Sequence, residues 1–332
     1  MHSMIDRKPA ERDAAIQSAR RTVSIEQAGL AELHAAMANG LAGPFADAVG
    51  VVGAITGRVI VTGVGKSGHI GAKIAATLAS TGTPAFFVHP AEANHGDLGM
   101  ITRDDAIIAM SWSGESQELQ GIVAYSRRFS IPLIAITSGD RSALAREADV
   151  VLSLPRVTEA CPHGLAPTTS TLMQLVLGDA LAIALLEARG FTPDNFRNFH
   201  PGGKLGASLT HLSEVMRTGD DLPIVTLGTK MPEAVMCLSD KKVGCVIIVD
   251  DDGRLMGIVT DGDVARNLHR NLKDVGVEEI MTRTPKTVGP QMSAGAAIAY
   301  LNENKIGALV VVEADRPIGV VHFHDLLRIG AA

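Results

Sequence analysis

Three short segments carry side chains that could do chemistry together. The first, VIVTGVGKSGHIGAKIAA (Val59–Ala76), reads as an apolar run, a glycine loop and a helical pattern. Such a loop turns backbone N–H groups and the positive end of a helix dipole toward an anion. Gly63, Gly65 and Gly68 satisfy the dinucleotide pattern G-x-G-x-x-G. Lys66-Ser67 mimics the end of a nucleotide P-loop, but that motif needs a glycine where Ile60 stands. The second segment, MSWSGESQEL (Met110–Leu119), sets Ser111, Ser113 and Ser116 around Gly114 and puts Glu118 in the first turn of a helix. The third, TEACPHGLAPTTST (Thr158–Thr171), carries Glu159 and a polar helix start at Thr168 and Thr169.

Hydroxyls at helix starts are commonly caps. Three such starts with a glycine loop and a lysine are harder to explain that way. A dinucleotide site would want an acidic residue closing the second strand, to hold a ribose. Here AFFVHPAE closes on His89-Pro90, and Glu92 comes late. Gly65, Lys66, Ser67, Ser111, Ser113, Ser116, Thr168 and Thr169 can instead surround one phosphate, with little sign of an adenosine pocket. A sugar phosphate is the better fit. His89, His95 and Asp97 match no strong metal-ligand spacing, so no metal is expected. His200, in FHPGGKLG, is either a turn histidine or a functional one.

These segments need a scaffold. A long helix is predicted from about Glu11 to Asn39, followed by helical spacing at Phe45, Val49, Val52 and Ile55. Apolar runs recur at 58–62, 85–88, 106–110, 133–137 and 150–154, with helical stretches between several of them. This alternation predicts a doubly wound α/β fold with a parallel five-stranded sheet in the flavodoxin-like order 2-1-3-4-5. In that order strands one and three are neighbours, and the glycine and serine loops face each other at the switch point. A helix over 168–188 closes on Arg189-Gly190, a C-cap signal. The pattern then changes. GCVIIVDDDGRLMGIVTDGDV (Gly244–Val264) returns as GALVVVEADRPIGVVHFHDL (Gly307–Leu326), each copy reading strand, turn, strand, helix start. The division expected is residues 1–205 and 206–332, the second a smaller α+β tandem domain with copies at about 210–271 and 274–330, and residues 202–212 as a linker.

The formal charge of −6 argues against general affinity for nucleic acid or an anionic membrane. Cys161, Cys237 and Cys245 are scattered, which fits a reducing cytoplasm. The N-terminal stretch is charged and is not a secretory signal, and no apolar stretch is expected to span a membrane.

With HPGGKLG added, the quoted segments together resemble the D-arabinose 5-phosphate isomerases, which join a sugar-isomerase (SIS) domain to a pair of cystathionine-β-synthase (CBS) motifs. The resemblance covers nearly the whole chain. It implies interconversion of D-ribulose 5-phosphate and D-arabinose 5-phosphate without a cofactor. The aldose would feed synthesis of 3-deoxy-D-manno-octulosonate (Kdo) for lipopolysaccharide or capsule. It also implies a homotetramer with sites shared between subunits. By motif matching, the family's lysine falls on Lys66, its glutamates on Glu118 and Glu159, and its histidines on His95 and His200. Trp112 departs from the pattern, which has a small polar residue there.

Such an exchange moves a proton between C1 and C2 through an enediol, and the base needs a pKa lifted toward neutrality. The expectation is Glu159 as base, Glu118 and His200 as proton shuttles or ring openers, and Lys66 as the balancing charge. In CBS pairs a Thr or Ser followed three residues later by Asp can hold a ribose. Thr260 and Asp263 match, while the second copy has His322 and Asp325. A nucleotide or sugar-nucleotide ligand and a plain packing module are both open there. Two rival functions are a non-catalytic sugar-phosphate-binding regulator and a nicotinamide dehydrogenase. Both glutamates are in place, against the first, and only the bare glycine pattern supports the second.

Overall fold

The computed structural model describes residues 9–200 and 202–331. The chain divides into two units, one ending at Thr192 and the other beginning at Pro193.

The first unit opens with α1 (Pro9–Met37) and α2 (Ala42–Ala54). Then β1 (Val59–Gly63), α3 (Gly65–Ser80), β2 (Ala85–Phe87) and α4 (Pro90–Ala93) lead to β3 (Ala106–Met110). α5 (Gln120–Phe129), β4 (Leu133–Thr137), α6 (Ala143–Glu147), β5 (Val150–Ser153) and α7 (Thr169–Ala188) complete it. The five strands are all parallel, in the order β2-β1-β3-β4-β5. β1, β3 and β4 are buried at every residue, which is why they read as largely apolar runs. Their side chains alternate between two cores. Val59, Val61, Ile108, Met110, Ile134 and Ile136 meet residues of α2, α3 and α7. Ile60, Ile107, Ala109, Leu133 and Ala135 meet Leu119, Ile122 and Val123 on the other face. At about 1.5–3 kcal/mol for each fully buried aliphatic side chain, these two layers fix the sheet and hence the loops at its C-terminal edge.

α7, at 20 residues, is long and apolar enough to cross a membrane by length and composition, yet half of its most apolar stretch is buried in this unit. Met173, Leu177, Leu181 and Leu185 lie in the core beneath α3, so the apolarity has a packing cause. α1 and α2 reach that length and apolarity only when taken together, and they are bent by 80°.

The second unit holds α8 (Pro193–Phe199), α9 (Gly203–Leu209) and α10 (Leu212–Val215). β6 (Ile224–Thr226), α11 (Met231–Lys241), β7 (Cys245–Val249), β8 (Leu255–Thr260) and α12 (Asp261–Arg266) follow. The second copy is β9 (Thr287–Val288), α13 (Ala294–Asn304), β10 (Ala308–Glu313), β11 (Arg316–His322) and α14 (Phe323–Arg328). The sheets are β6-β7-β8 and β11-β10-β9, each with an antiparallel hairpin followed directly by a helix, as the repeat predicts. Residues 202–212 are not a bare linker. α9 packs on α13, and Ala207 joins the core of the second copy.

Candidate active site

The ends of β1 and β3 are paired, Gly63 opposite Met110, so the glycine loop and the serine loop leave the sheet side by side. α3 starts at Gly65, which takes the left-handed φ of +57°, and Val64 before it offers no side-chain cap. The first N–H to turn inward is that of Gly68, donating to the Val64 carbonyl at 3.2 Å. The N–H groups of Gly65, Lys66 and Ser67 therefore have no intrahelical acceptor. Lys66 is exposed and has no ion pair among the described residues. The helix end thus offers open donors, a dipole and a cation at one place.

The serine loop is tied down from within. Ser111 Oγ and Ser116 Oγ lie 2.9 Å apart, and Ser111 Oγ accepts from the Gly114 N–H at 3.1 Å. Ser113 Oγ accepts from the Glu115 N–H at 3.2 Å. The Trp112 carbonyl accepts from Ser138 N (3.0 Å), Ser138 Oγ (3.1 Å) and Thr137 Oγ1 (3.2 Å), fastening the loop to the end of β4. Gly114 has φ +71°, and a Cβ there would lie 1.9 Å from Ser142 Oγ. The Trp112 indole packs against the α7-side core, which also takes Val157. Glu115 caps α6, accepting from the Ala143 N–H at 3.0 Å. The exposed Glu118 lies in a short 3-10 turn ahead of α5 and makes no hydrogen bond or ion pair among the described residues.

Glu159 is half-buried, and its role differs from the expectation. Its Oε2 accepts from Thr168 N (2.7 Å), Thr168 Oγ1 (3.0 Å) and Ser170 N (3.3 Å). Burial pushes its pKa up, but the hydrogen bonds from Ser170 and Thr168 outweigh that and hold the carboxyl below its usual value. A base lifted toward neutrality is therefore not what this geometry builds. Glu159 is an ionised anchor for the N-terminus of α7. Thr168 is used in the same anchor, since its Oγ1 also accepts from the Ala160 N–H at 2.9 Å. Thr169 is fully buried, and its methyl group occupies the space a Cβ on Gly29 of α1 would need. Its hydroxyl is buried and has no hydrogen-bond partner among the described residues.

A stability test follows from the anchor. Because the folded pKa of Glu159 is depressed, its contribution is full above the ordinary carboxylate range and is lost as pH falls through the depressed value. Glu159→Gln should lower Tm at pH 7 by about 1–4 °C, from a helix-terminus charge worth about 0.3–1 kcal/mol. The gap to the unmodified chain should narrow as pH falls through the ordinary carboxylate range and close only below the depressed value. A gap of the same size at pH 7 and in acid would mean that the charge plays no part.

The remaining candidates stand on other elements of the fold. His95 is exposed after α4, and its backbone N–H donates to the Glu92 carbonyl at 2.9 Å. His200 belongs to the second unit, where its ring stacks on Phe196 at 3.8 Å between centroids and Nδ1 lies 2.9 Å from the Phe196 carbonyl. In that unit Thr260 and Asp263 form a capping box on α12. Thr260 Oγ1 donates to Asp263 Oδ2 at 2.6 Å, and Arg266 pairs with Oδ1 at 2.6 Å. Burial raises the Asp263 pKa, and the bonds from Thr260 and Arg266 bring it below its ordinary value. These residues line a cavity of about 510 Å³ with Lys286, Lys305 and His322. His322 caps α14, its Nδ1 accepting from the His324 N–H at 3.2 Å, and burial keeps its pKa low. Among the described residues no group of three His, Cys, Asp or Glu side chains is placed to hold a metal ion.

A doubly wound sheet with an open helix N-terminus facing a serine loop, followed by a tandem repeat, defines a phosphosugar-site protein with an appended repeat module. The family comparisons agree: the SIS domain matches residues 56–184, and the CBS domain matches 212–270 and 277–332. The chain is 49% identical to the arabinose 5-phosphate isomerase KdsD of Pseudomonas aeruginosa, over 95% of this chain and 97% of that one. It is 44% identical to KdsD of Yersinia pestis, over 95% of each. The solved structure of c3406 from E. coli CFT073, in complex with arabinose 5-phosphate, is 38% identical. It covers 59% of this chain and all of its own, with a TM-score of 0.53. The chain belongs to the arabinose 5-phosphate isomerase family.

Proposed function

We propose that this chain interconverts D-ribulose 5-phosphate and D-arabinose 5-phosphate by proton transfer through an enediol. The observation that carries this is the near full-length identity to the KdsD isomerases, joined to a switch point whose open N–H groups and serines suit a sugar phosphate. A regulator that only binds sugar phosphate would have no use for an unengaged carboxylate such as Glu118.

In this reading the phosphate lies between the first turn of α3 and the loop of Ser111, Ser113 and Ser116, with Lys66 balancing its charge. Glu118 takes the proton. It is the carboxylate of the pair that no neighbour engages, whereas the three hydrogen bonds to Glu159 weaken it as a base. Glu159 fixes the α7 end of the site. His95 and His200 are carried over on the resemblance alone, with ring opening or proton transfer on the oxygens as their work. The aldose would serve Kdo and lipopolysaccharide synthesis in the cytoplasm, and a homotetramer would complete the sites. The cavity around Thr260 and Asp263 suits a nucleotide or sugar-nucleotide only if Arg266 yields its hold on Asp263.

Purified protein incubated with ribulose 5-phosphate should yield arabinose 5-phosphate by NMR, with no added cofactor and with EDTA present. No conversion would defeat the proposal. Loss on chelation, restored by one divalent ion, would defeat its metal-free chemistry.

A further inference from the structure

Most cations of the first unit that carry a described side-chain bond are committed to structure. Arg58 pairs with Asp105, Lys73 with Asp179 and Arg127 with Asp149. Arg189 donates to the Gly82 carbonyl and to Thr83 Oγ1, and Arg103 and Arg128 lie over the Phe129 ring. Arg156, in the loop from β5 to α7, is exposed and makes no hydrogen bond or ion pair among the described residues. It therefore does not hold its loop in place. It does line a cavity of about 350 Å³ at the C-terminal edge of the sheet, with Trp112, Ser113, Ser138, Gly139 and Val157. Arg156 and Val157 also line a second cavity, of about 870 Å³, between this loop and α1.

We propose that Arg156 is a second cation of the sugar-phosphate site, meeting the phosphate from the side of the serine loop away from Lys66. The proposal rests on the isomerase reading. A phosphate monoester carries a charge of about −1.5 to −2 at neutral pH, which Lys66 alone does not balance. A guanidinium presents paired N–H donors that match phosphate oxygens. The walls of the smaller cavity fit that use. Ser113 comes from the loop that faces the glycine loop, and Ser138 and Gly139 come from the adjacent loop. The Trp112 indole makes an apolar wall with no charge to compete. A free arginine flanked by empty space on both sides can swing toward the ligand without breaking an existing bond.

The test is steady-state kinetics of the full chain with arabinose 5-phosphate, comparing Arg156→Ala and Arg156→Lys with Arg141→Ala. Arg141 is an exposed arginine of the neighbouring loop that lines neither cavity. Arg156→Ala should raise KM at least about tenfold, as expected for lost charged hydrogen bonds, with kcat within about threefold. Inhibition by inorganic phosphate should weaken in parallel, Arg156→Lys should recover part of the loss, and Arg141→Ala should match the unmodified chain. An unchanged KM in Arg156→Ala overturns the proposal. So does an equal rise in Arg141→Ala that disappears with added salt, because that reads only the general field. An unmodified chain with no isomerase activity would overturn the isomerase reading instead. Arg156 would then be tested by the thermal shift with inorganic phosphate, where equal shifts in the unmodified chain and Arg156→Ala would overturn it.

Discussion

Glu118→Gln loses about two to four orders of magnitude in kcat, the range of general acid–base catalysis, while still binding arabinose 5-phosphate. The change keeps the side chain's shape and removes its basicity. No fold contact is lost, because Glu118 is exposed and bonded to nothing among the described residues. Binding survives because it rests on the α3 N-terminus and the serine loop, neither of which uses Glu118. The unmodified chain in D2O should place deuterium at C2 of arabinose 5-phosphate, since a proton held on a carboxylate can exchange with water. Incorporation will be partial if the site is closed to solvent. Glu159→Gln should lose much less, because Gln can still accept from Thr168 and Ser170 and hold the end of α7. NMR time courses of both variants decide between the two carboxylates. A dead Glu159→Gln beside an active Glu118→Gln would exchange their roles. Two fully active variants would end the carboxylate-base mechanism.

The sheet order and the repeat were legible in the sequence because their signals are local. Largely apolar runs over 58–62, 106–110 and 133–137 mark strands buried on both faces, and alternating helices leave few ways to connect them. The glycine and serine loops were legible for the same reason, as each is a few consecutive residues at a strand end. What could not be read depends on contacts distant in the chain. Thr169 stands in a polar helix start, yet Gly29 leaves the gap that its methyl fills. Glu159 looked unexplained in its loop because its partners lie nine and eleven residues on. Residues 202–212 read as a linker, but the seven residues after Gly202 are helical where they meet α13. Arg156 sits in no motif. Its only sequence signal is a single cation after the apolar run VVLSLP, and it takes the fold to bring that cation beside Ser113.

Gly68→Ala costs about a hundredfold in kcat/KM and several degrees in Tm, whereas Gly65→Ala costs far less. The two glycines share one motif and answer to different physics. At Gly65 a Cβ would meet nothing within 4 Å, so alanine suffers only the left-handed φ of +57°. That penalty is about 1–2 kcal/mol, and asparagine, which tolerates this conformation, should recover much of it. At Gly68 a Cβ would lie 2.6 Å from the Gly63 carbonyl oxygen and 3.1 Å from its carbon. Both are backbone atoms, and Gly63 is itself held in register against Met110, so no flexible side chain can yield. The first turn of α3 must move off the sheet instead. Overpacking of this kind costs about 1–3 kcal/mol, or about 2–12 °C in Tm for a unit of this size. A displacement of about 1 Å at a site that works by position costs about a hundredfold in rate. Thermal melts and kcat/KM of Gly65→Ala, Gly65→Asn and Gly68→Ala, measured side by side, separate the two causes. A loss at Gly65 with none at Gly68 would mean that left-handed conformation, and not the close approach of α3 to β1, is what the loop requires.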